Sequence, residues 1–189
     1  GVNLQNNTIT MPVRDHKGGL VFIKQRLLNP PPGVDKYLNE SGIPKQYLLY
    51  GFYHVLKLLE AINNGTCSNK KLEENYKKYG LTLTEGEFNA AYLMQCGYPA
   101  VSLLGRILFE DKTKKTIQQK ELLLRYGIRQ LVLWMDNDDP GMEAQQIIKQ
   151  QTYNHFRIRE PDYSLFPELN DANDHTLEQI DYIYSRMVT

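Results

Sequence analysis

The chain has 189 residues and an apolar content of 41%, which is enough to bury the core of one ordinary domain or of two small ones. No apolar run approaches the roughly 20 residues needed to span a bilayer, and no signal-peptide pattern is present. We therefore expect a cytoplasmic protein without membrane association. Cys67 and Cys96 lie far apart and lack a Cys-x-x-Cys spacing, so the sequence suggests neither a disulfide framework nor a zinc site.

The formal net charge is zero, which by itself argues against a nucleic-acid binder, but the charge is divided unevenly along the chain. Residues 1–80 contain 11 Lys and Arg against 6 Asp and Glu, a net charge of +5, whereas residues 81–189 contain 11 against 16, a net charge of −5. A basic half and an acidic half would suit an anionic polymer on one side and metal ions on the other. An imbalance of this size also arises by chance.

The first regular segments predict a β-hairpin. Two strand-like runs, residues 8–15 and 20–26, flank a turn sequence that contains Gly18-Gly19. Lys24 and Arg26 share one face of the second strand because side chains alternate, and Arg14 lies near the hairpin end of the first. Three cations on a small sheet suit phosphate contact, and a solvated strand edge kept soluble by charge is the alternative.

The remainder of the basic half contains one clear helix. A proline-rich link at residues 29–33 is followed by Lys36 and Lys45, and apolar residues at helical spacing then predict an amphipathic helix over residues 52–63. Residues 67–80 are polar and rich in lysine, which is typical of a short surface helix or a loop. We place a boundary near residue 80, so that residues 1–80 form a small basic α+β subdomain and residues 81–189 a second unit.

From residue 81 onward, strand-like and helical segments alternate. The pattern predicts strands at residues 81–84, 100–105, 131–135 and 153–159, and helices at residues 88–96, 114–126, 142–151 and 176–187. Residues 131–135 are all apolar, as in a strand buried on both faces. Alternation of this kind predicts an α/β fold with a central parallel sheet flanked by helices and right-handed crossovers.

Acidic residues follow two of these strands. Glu85 comes directly after the strand at 81–84, and Asp136 and Asp138 follow the apolar run at 131–135. Parallel strands present their carboxyl ends to the same edge of a sheet, so these carboxylates should converge there. Asp171 and Asp174, just before the last predicted helix, add a third cluster.

Crowded carboxylates repel one another, and a divalent cation bound through hard oxygen ligands relieves the repulsion. We therefore predict a metal site at this edge. The alternatives for the individual clusters are structural. The turn at 136–139 would be solvated with Asp139 capping the next helix, and Asp174 would cap the helix at 176–187.

Four segments, in order, resemble the successive motifs of the Toprim domain, which is shared by bacterial DnaG-type primases, type IA and II topoisomerases and some nucleases. They are Thr84-Glu85-Gly86-Glu87-Phe88-Asn89-Ala90-Ala91, Val101-Ser102-Leu103-Leu104-Gly105, Met135-Asp136-Asn137-Asp138-Asp139-Pro140-Gly141 and Asn170-Asp171-Ala172-Asn173-Asp174. The basic half, through Ile9 to Gly19, Lys36-Tyr37-Leu38-Asn39 and Leu49-Tyr50-Gly51, is similar to the subdomain that precedes Toprim in DnaG-type primases and their phage and plasmid relatives. The resemblance therefore points to the RNA polymerase catalytic core of a primase.

The resemblance implies a nucleotidyltransferase that synthesises short RNA primers on single-stranded DNA from ribonucleoside triphosphates. It makes Glu85 a general acid/base or metal-organising group, Asp136 and Asp138 ligands of Mg²⁺ or Mn²⁺, and Asp171 and Asp174 further members of the acidic site. Basic residues for template or nucleotide phosphates would be Arg14, Lys24, Arg26, Lys36 and Lys45. A replicative helicase would bind through regions that this sequence does not contain.

Two departures from the family pattern concern the third cluster. Asn170 stands where relatives often have Lys, and Asp171 and Asp174 are separated by two residues rather than one, which leaves open which of them contacts metal. Two rival functions use the same fold. A Toprim nuclease would activate water at the same acidic edge, and a non-catalytic nucleic-acid-binding module would need no metal. A topoisomerase is disfavoured because the chain is too short for the tyrosine-bearing domain and gate.

Overall fold

The computed structural model describes residues 2–3, 7–38, 42–110, 112 and 117–187 and contains two four-stranded sheets. The first sheet is antiparallel, with strands in chain order: β1 (Val2–Asn3), β2 (Thr8–Arg14), β3 (Leu20–Leu27) and β4 (Tyr37–Leu38). β2 and β3 pair from Thr8↔Leu27 to Arg14↔Leu20, which confirms the predicted hairpin. Val13 and Phe22 pack beneath this sheet with Leu48 and Leu104.

Two helices connect the sheets. Helix α1 (Phe52–Asn63) has the predicted bounds, and α2 (Lys70–Tyr79) shows that the lysine-rich segment is a helix rather than a loop. The side chain of Asn69 caps α2 by accepting a hydrogen bond from the Leu72 amide at 3.1 Å. The lysines of α2 lie at its exposed face, where Lys70 and Lys77 both pair with Glu73.

The second sheet is parallel, as predicted, in the order β6-β5-β7-β8. Its strands are β5 (Leu81–Thr84), β6 (Ala100–Ser102), β7 (Gln130–Trp134) and β8 (Arg157–Arg159). The helices between and after them are α3 (Glu87–Gln95), α4 (Gln119–Arg125), α5 (Asp139–Thr152) and α6 (Leu177–Arg186). β5 and β7 are direct neighbours and end in register, with Thr84 beside Trp134.

Four predicted segments differ in extent from the observed elements, and one of them is helix α5, which begins at Asp139 rather than at residue 142. The strand at 100–105 ends at Ser102, because Leu104 adopts a left-handed conformation with φ 60° and turns the chain. The strand at 153–159 is limited to Arg157–Arg159, because α5 extends to Thr152 and the Thr152 carbonyl still accepts the amide of Phe156. Helix α4 begins only at Gln119, and residues 114–116 of the predicted helix lie outside the described residues.

The parallel sheet is buried on both faces, as the apolar run predicted. Leu131 and Leu133 pack on one face in a cluster that includes Phe52, Val55 and Ile148. On the other face Val132 and Trp134 join a cluster with Leu93, Ile180 and Tyr184. Successive residues of β7 face opposite sides of the sheet because side chains alternate along a strand.

The core of the parallel sheet also contains residues from before the predicted boundary. Leu49, Phe52 and Val55 belong to the same buried cluster as Leu81 and Leu83. The division at residue 80 stays a prediction, with helix α1 covering a face of the sheet that follows it. Among the described residues, no helix is both long enough and apolar enough to cross a membrane.

Candidate active site

Five carboxylates gather where the parallel strands end. Glu85 directly follows β5 and Asp136 lies two residues beyond β7, so the register of these neighbouring strands brings them together. The loop before α6 approaches the same place, because the Asn137 amide donates a hydrogen bond to the Asn170 carbonyl at 2.9 Å. We call this set the acidic edge: Glu85, Asp136, Asp138, Asp171 and Asp174. The structure thus assembles the predicted acidic residues, whose roles remain predictions.

A residue that the sequence analysis did not single out ties two of these loops together. Asn89 on α3 donates from Nδ2 to Asp136 Oδ1 at 3.2 Å, and its Oδ1 accepts from the Asn173 amide at 3.3 Å. Asn89 is buried, and its hydrogen bond orients the Asp136 carboxylate. Its signal in the sequence was its place in the first turn of α3, four residues after Glu85.

The acidic edge alters the acidity of its own members. Burial, together with the nearby charges of Asp171 and Glu85, raises the pKa of Asp136 to about 8. Burial also raises the pKa of Asp171, with the charges of Asp174 and Asp138 adding to the effect. The pKa of Glu85 is raised by burial, against the lowering effect of Arg106. The fold therefore collects negative charge that its own cations do not neutralise.

A hard divalent cation fits this donor set, because such cations prefer carboxylate oxygens as ligands. The carboxylates lie farther from one another than the ligands of a bound metal ion would. Within the described residues, no three or more His, Cys, Asp or Glu side chains are arranged so that they could hold one ion as they stand. Binding of Mg²⁺ or Mn²⁺ would thus require the side chains of the acidic edge to move together.

Asp138 and Asp174 also have structural roles, which differ from the alternatives considered for them. Asp138, not Asp139, caps α5, because its Oδ1 accepts from the Gly141 amide at 2.7 Å. Asp174 does not cap α6, whose cap is Thr176. Instead Asp174 Oδ2 accepts from the amide of Asp171 at 3.0 Å and shapes the loop itself.

Gly141 lies so close to the backbone of Asp136 that only glycine fits at this position. A Cβ atom at Gly141 would lie 2.2 Å from the carbonyl oxygen of Asp136, which is far inside van der Waals contact. The start of α5 therefore approaches the Asp136 backbone directly.

Four of the five predicted basic residues line a cleft beside the acidic edge. We call them the basic wall: Lys24, Arg26, Lys36 and Lys45. They line a cleft of about 490 Å³ together with Glu85, Asp136, Asp171 and Asp174. This volume lies within the range of sites for small ligands such as nucleotides. Arg14 is not part of the cleft. It donates a hydrogen bond to the Gly18 carbonyl at 2.9 Å and lines a separate, largely apolar cavity.

Two ion pairs within the site were not foreseen. Lys24 pairs with Glu87, the first residue of α3, and both side chains are buried. Arg106 lies beyond β6 and places its Nε 3.2 Å from Oε1 of Glu85, with half of the arginine side chain exposed. Neither pair has a signal in local sequence, because the partners lie 63 and 21 residues apart in the chain.

The cleft thus combines carboxylates able to organise cations with amines and a guanidinium able to hold phosphates. Such an arrangement can bind a polyanion and promote chemistry at phosphorus, where divalent cations neutralise developing charge.

Bacterial primases share this fold. The zinc-binding and RNA polymerase domains of the Aquifex aeolicus primase match with a TM-score of 0.62 and 17% identity, over 96% of this chain and 40% of that one. The E. coli primase catalytic core matches with a TM-score of 0.60 and 21% identity, over 96% of this chain and 53% of that one. A DnaG primase catalytic domain bound to single-stranded DNA matches with a TM-score of 0.59 and 21% identity, over 96% of this chain and 52% of that one. The chain therefore spans only 40% to 53% of the length of these proteins.

No curated protein matches the chain in sequence. A family model does. The Toprim_2 model, described as Toprim-like, matches residues 82–176, which is just over half of the chain and runs from β5 to the cap of α6. The matched segment contains the whole acidic edge and the α/β layers that support it. The chain belongs to the Toprim-like family.

Proposed function

We propose that this chain is the catalytic core of a DNA primase, which synthesises short RNA primers on single-stranded DNA by metal-dependent nucleotidyl transfer. The observation that carries the proposal is a single cleft lined both by four carboxylates of the acidic edge and by the basic wall, the four carboxylates being Glu85, Asp136, Asp171 and Asp174. A nuclease also needs the carboxylates, but a polymerase must in addition hold a triphosphate and a template strand beside them. The shared fold with primase cores supports the same conclusion.

In the proposed reaction, the 3′-hydroxyl of a primer or first nucleotide attacks the α-phosphorus of a ribonucleoside triphosphate. The new O–P bond forms as the bond from the α-phosphorus to its β-bridging oxygen breaks, and pyrophosphate leaves with the electron pair. Glu85 accepts the proton of the attacking hydroxyl, a role for which its raised pKa is suited. Mg²⁺ or Mn²⁺, held by Asp136 with Asp138, Asp171 or Asp174, would shield the charge that builds up on phosphate.

The basic wall supplies the remaining contacts in this proposal. Lys36 is exposed and Lys45 is half-buried at the cleft, so both can approach phosphate oxygens. Their contacts with the backbone of a template would be largely independent of base sequence. Single-stranded DNA and ribonucleoside triphosphates are thus the proposed partners. A replicative helicase would act through parts of a longer protein.

The test is synthesis of labelled oligoribonucleotides on a single-stranded template with Mg²⁺ or Mn²⁺. We expect Glu85→Gln and Asp136→Asn to lower the rate by about 100-fold or more. The matched control is Asp139→Asn, which removes an exposed carboxylate from the same loop and should leave the rate within about twofold. Degradation of the template without any product would indicate a nuclease instead. Template binding without product or degradation, unaffected by divalent cations, would indicate a non-catalytic module.

A further inference from the structure

Strand β3 of the basic wall is fastened to the start of α3 by two neighbouring contacts. Lys24 forms its ion pair with Glu87, and the Arg26 guanidinium lies 4.6 Å from the centre of the Phe88 ring. Lys24 and Arg26 share one face of β3, and Glu87 and Phe88 are consecutive at the start of α3. We call these four residues the β3–α3 clamp.

The ion pair of the clamp is shielded from solvent. The Lys24 side chain is 10% exposed and that of Glu87 is 1% exposed. Burying two charges is costly, and removing one partner leaves the other charge buried without compensation. The Lys24 ammonium also lies 4.4 Å from the centre of the Tyr37 ring, which covers it from the side of β4. Little of the ammonium is left for a phosphate group.

Arg26 is in a different situation. It forms no ion pair with a carboxylate within the part of the chain that the structure describes, and its guanidinium carbon lies 4.6 Å from the centre of the Phe88 ring and 5.7 Å from that of Tyr37. It also lines the same cleft as Asp171, a member of the acidic edge. An arginine guanidinium carries five N–H donors, so its contacts with these rings leave donors for a phosphate.

We propose that Lys24 is a positioning residue rather than a phosphate ligand. The Lys24–Glu87 pair fixes β3 against α3, and this sets the place of Arg26 relative to the acidic edge, where Arg26 receives the phosphates. The proposal rests on the proposed function for the identity of the ligand, and it reassigns Lys24 from the role that the family resemblance implied. It also gives Glu87, a buried carboxylate outside the acidic edge, a defined task.

The experiment compares Lys24→Met, Glu87→Gln and the double variant with the unaltered chain. The first measurement is the midpoint of thermal unfolding. Each single variant should unfold about 5 °C lower or more, because each leaves one buried charge unpaired, and the double variant should recover at least about half of that loss. Additive losses in the double variant would overturn the pairing.

The second measurement is the affinity for a fluorescent ribonucleoside triphosphate with Mg²⁺, at a temperature where circular dichroism shows every variant to be folded. We expect both single variants to bind about tenfold more weakly, because Arg26 is misplaced in each. If Lys24 were itself a phosphate ligand, Lys24→Met would weaken binding while Glu87→Gln would leave it unchanged or strengthen it. That result would overturn the proposal.

Lys36→Met is the comparison variant. It removes an exposed cation of the basic wall, so it should weaken triphosphate binding with little change in the unfolding midpoint. Failure of the proposed function has a separate signature, in which the unaltered chain binds no triphosphate at all. The unfolding midpoints would then still decide whether Lys24 and Glu87 are coupled, and the role in positioning a phosphate ligand would be refuted.

Discussion

Asp136 is the residue at which the fold most clearly changes side-chain chemistry. Its pKa rises from an ordinary value of 3.8 to about 8, because it is half-buried next to Asp171 and Glu85. A carboxyl with a raised pKa favours the folded state only while it is protonated. Its contribution to stability is therefore full below about pH 4 and is lost as the pH rises through 8.

The first prediction concerns this pH dependence. Without divalent cations, the unfolding midpoint should fall by several degrees, on the order of 5 °C, between pH 5 and pH 8. Asp136→Asn, which cannot ionise, should flatten the profile. Mg²⁺ should raise the midpoint more at pH 8 than at pH 5, because metal ligands must be deprotonated. Differential scanning calorimetry measures all three effects, and an unchanged profile in Asp136→Asn would show that another group is responsible.

Arg106 is the second residue for which the structure predicts a measurable effect. Its half-exposed guanidinium contacts Glu85 and so competes with any cation that the acidic edge binds. Arg106→Ala should therefore bind Mn²⁺ more tightly, by about two- to fivefold, which is the range expected for loss of an exposed ion pair. Titration calorimetry with Mn²⁺ measures this, with Arg125→Ala, an exposed arginine on α4, as the control. Weaker binding in Arg106→Ala would mean that the arginine helps to organise the site.

At the level of single elements, the start of α5 has no room for a side chain at Gly141. Gly141→Ala should lower the free energy of unfolding by about 1–3 kcal/mol, because its Cβ would overlap the Asp136 carbonyl oxygen. Gly86→Ala is the control. Gly86 has an ordinary extended backbone, with φ −98°, and an added Cβ would meet only Asn89 Nδ2 at 3.7 Å. Denaturant unfolding of the two variants should separate them clearly, and equal losses would contradict the steric explanation.

The sequence predicted the type of most elements but not all of their ends. The apolar run at 131–135 and the turn at Gly18-Gly19 are strong local signals, and both elements formed as expected. The strand expected at 153–159 is shorter than predicted. Helix α5 continues to Thr152, and the pairing of β8 with β7 extends only from Gln130 to Val132. Such pairing is a non-local contact, and local sequence does not encode it.

The same distinction applies to the site. The convergence of Glu85 and Asp136 was predictable because parallel strands end at one edge of a sheet. The exclusion of Arg14 and the pairing of Lys24 with Glu87 were not, because they depend on how the antiparallel sheet packs against α3. Asn89 is an intermediate case, since it lies in a recognisable motif but acts through contacts with two distant loops.

At the scale of the whole molecule, segments from both sides of the predicted boundary share buried clusters: Val13 and Phe22 pack with Leu104, and Phe52 lies in the same cluster as Leu81. Helix α1 lies before the predicted boundary at residue 80, yet Phe52 is 1% exposed and belongs to the core of the parallel sheet. We therefore expect the chain from β2 to α6 to unfold in one cooperative step. Amide hydrogen exchange should give similar opening free energies for α1 and for β7.

Phe52→Ala provides the corresponding test. The variant should lose about 3–5 kcal/mol of unfolding free energy, because it leaves a cavity in the core. The loss should appear in the exchange of β5 and β7 as well as of α1, and exposed Ile147→Ala on α5 is the control. A loss confined to α1 would instead support independent units that meet near residue 80.

Trp134 gives the protein a built-in optical reporter. It is the only tryptophan in the chain, it is buried, and it lies two residues before Asp136. Its ring also contacts the edge of His175, whose Nδ1 lies 3.0 Å from the Asp171 carbonyl oxygen. The indole is therefore close to two loops of the acidic edge, to the loop of Asp136 along the chain and to the loop of Asp171 through His175. Any rearrangement of those loops around a cation or a triphosphate should change its emission, so binding can be followed in the unlabelled protein.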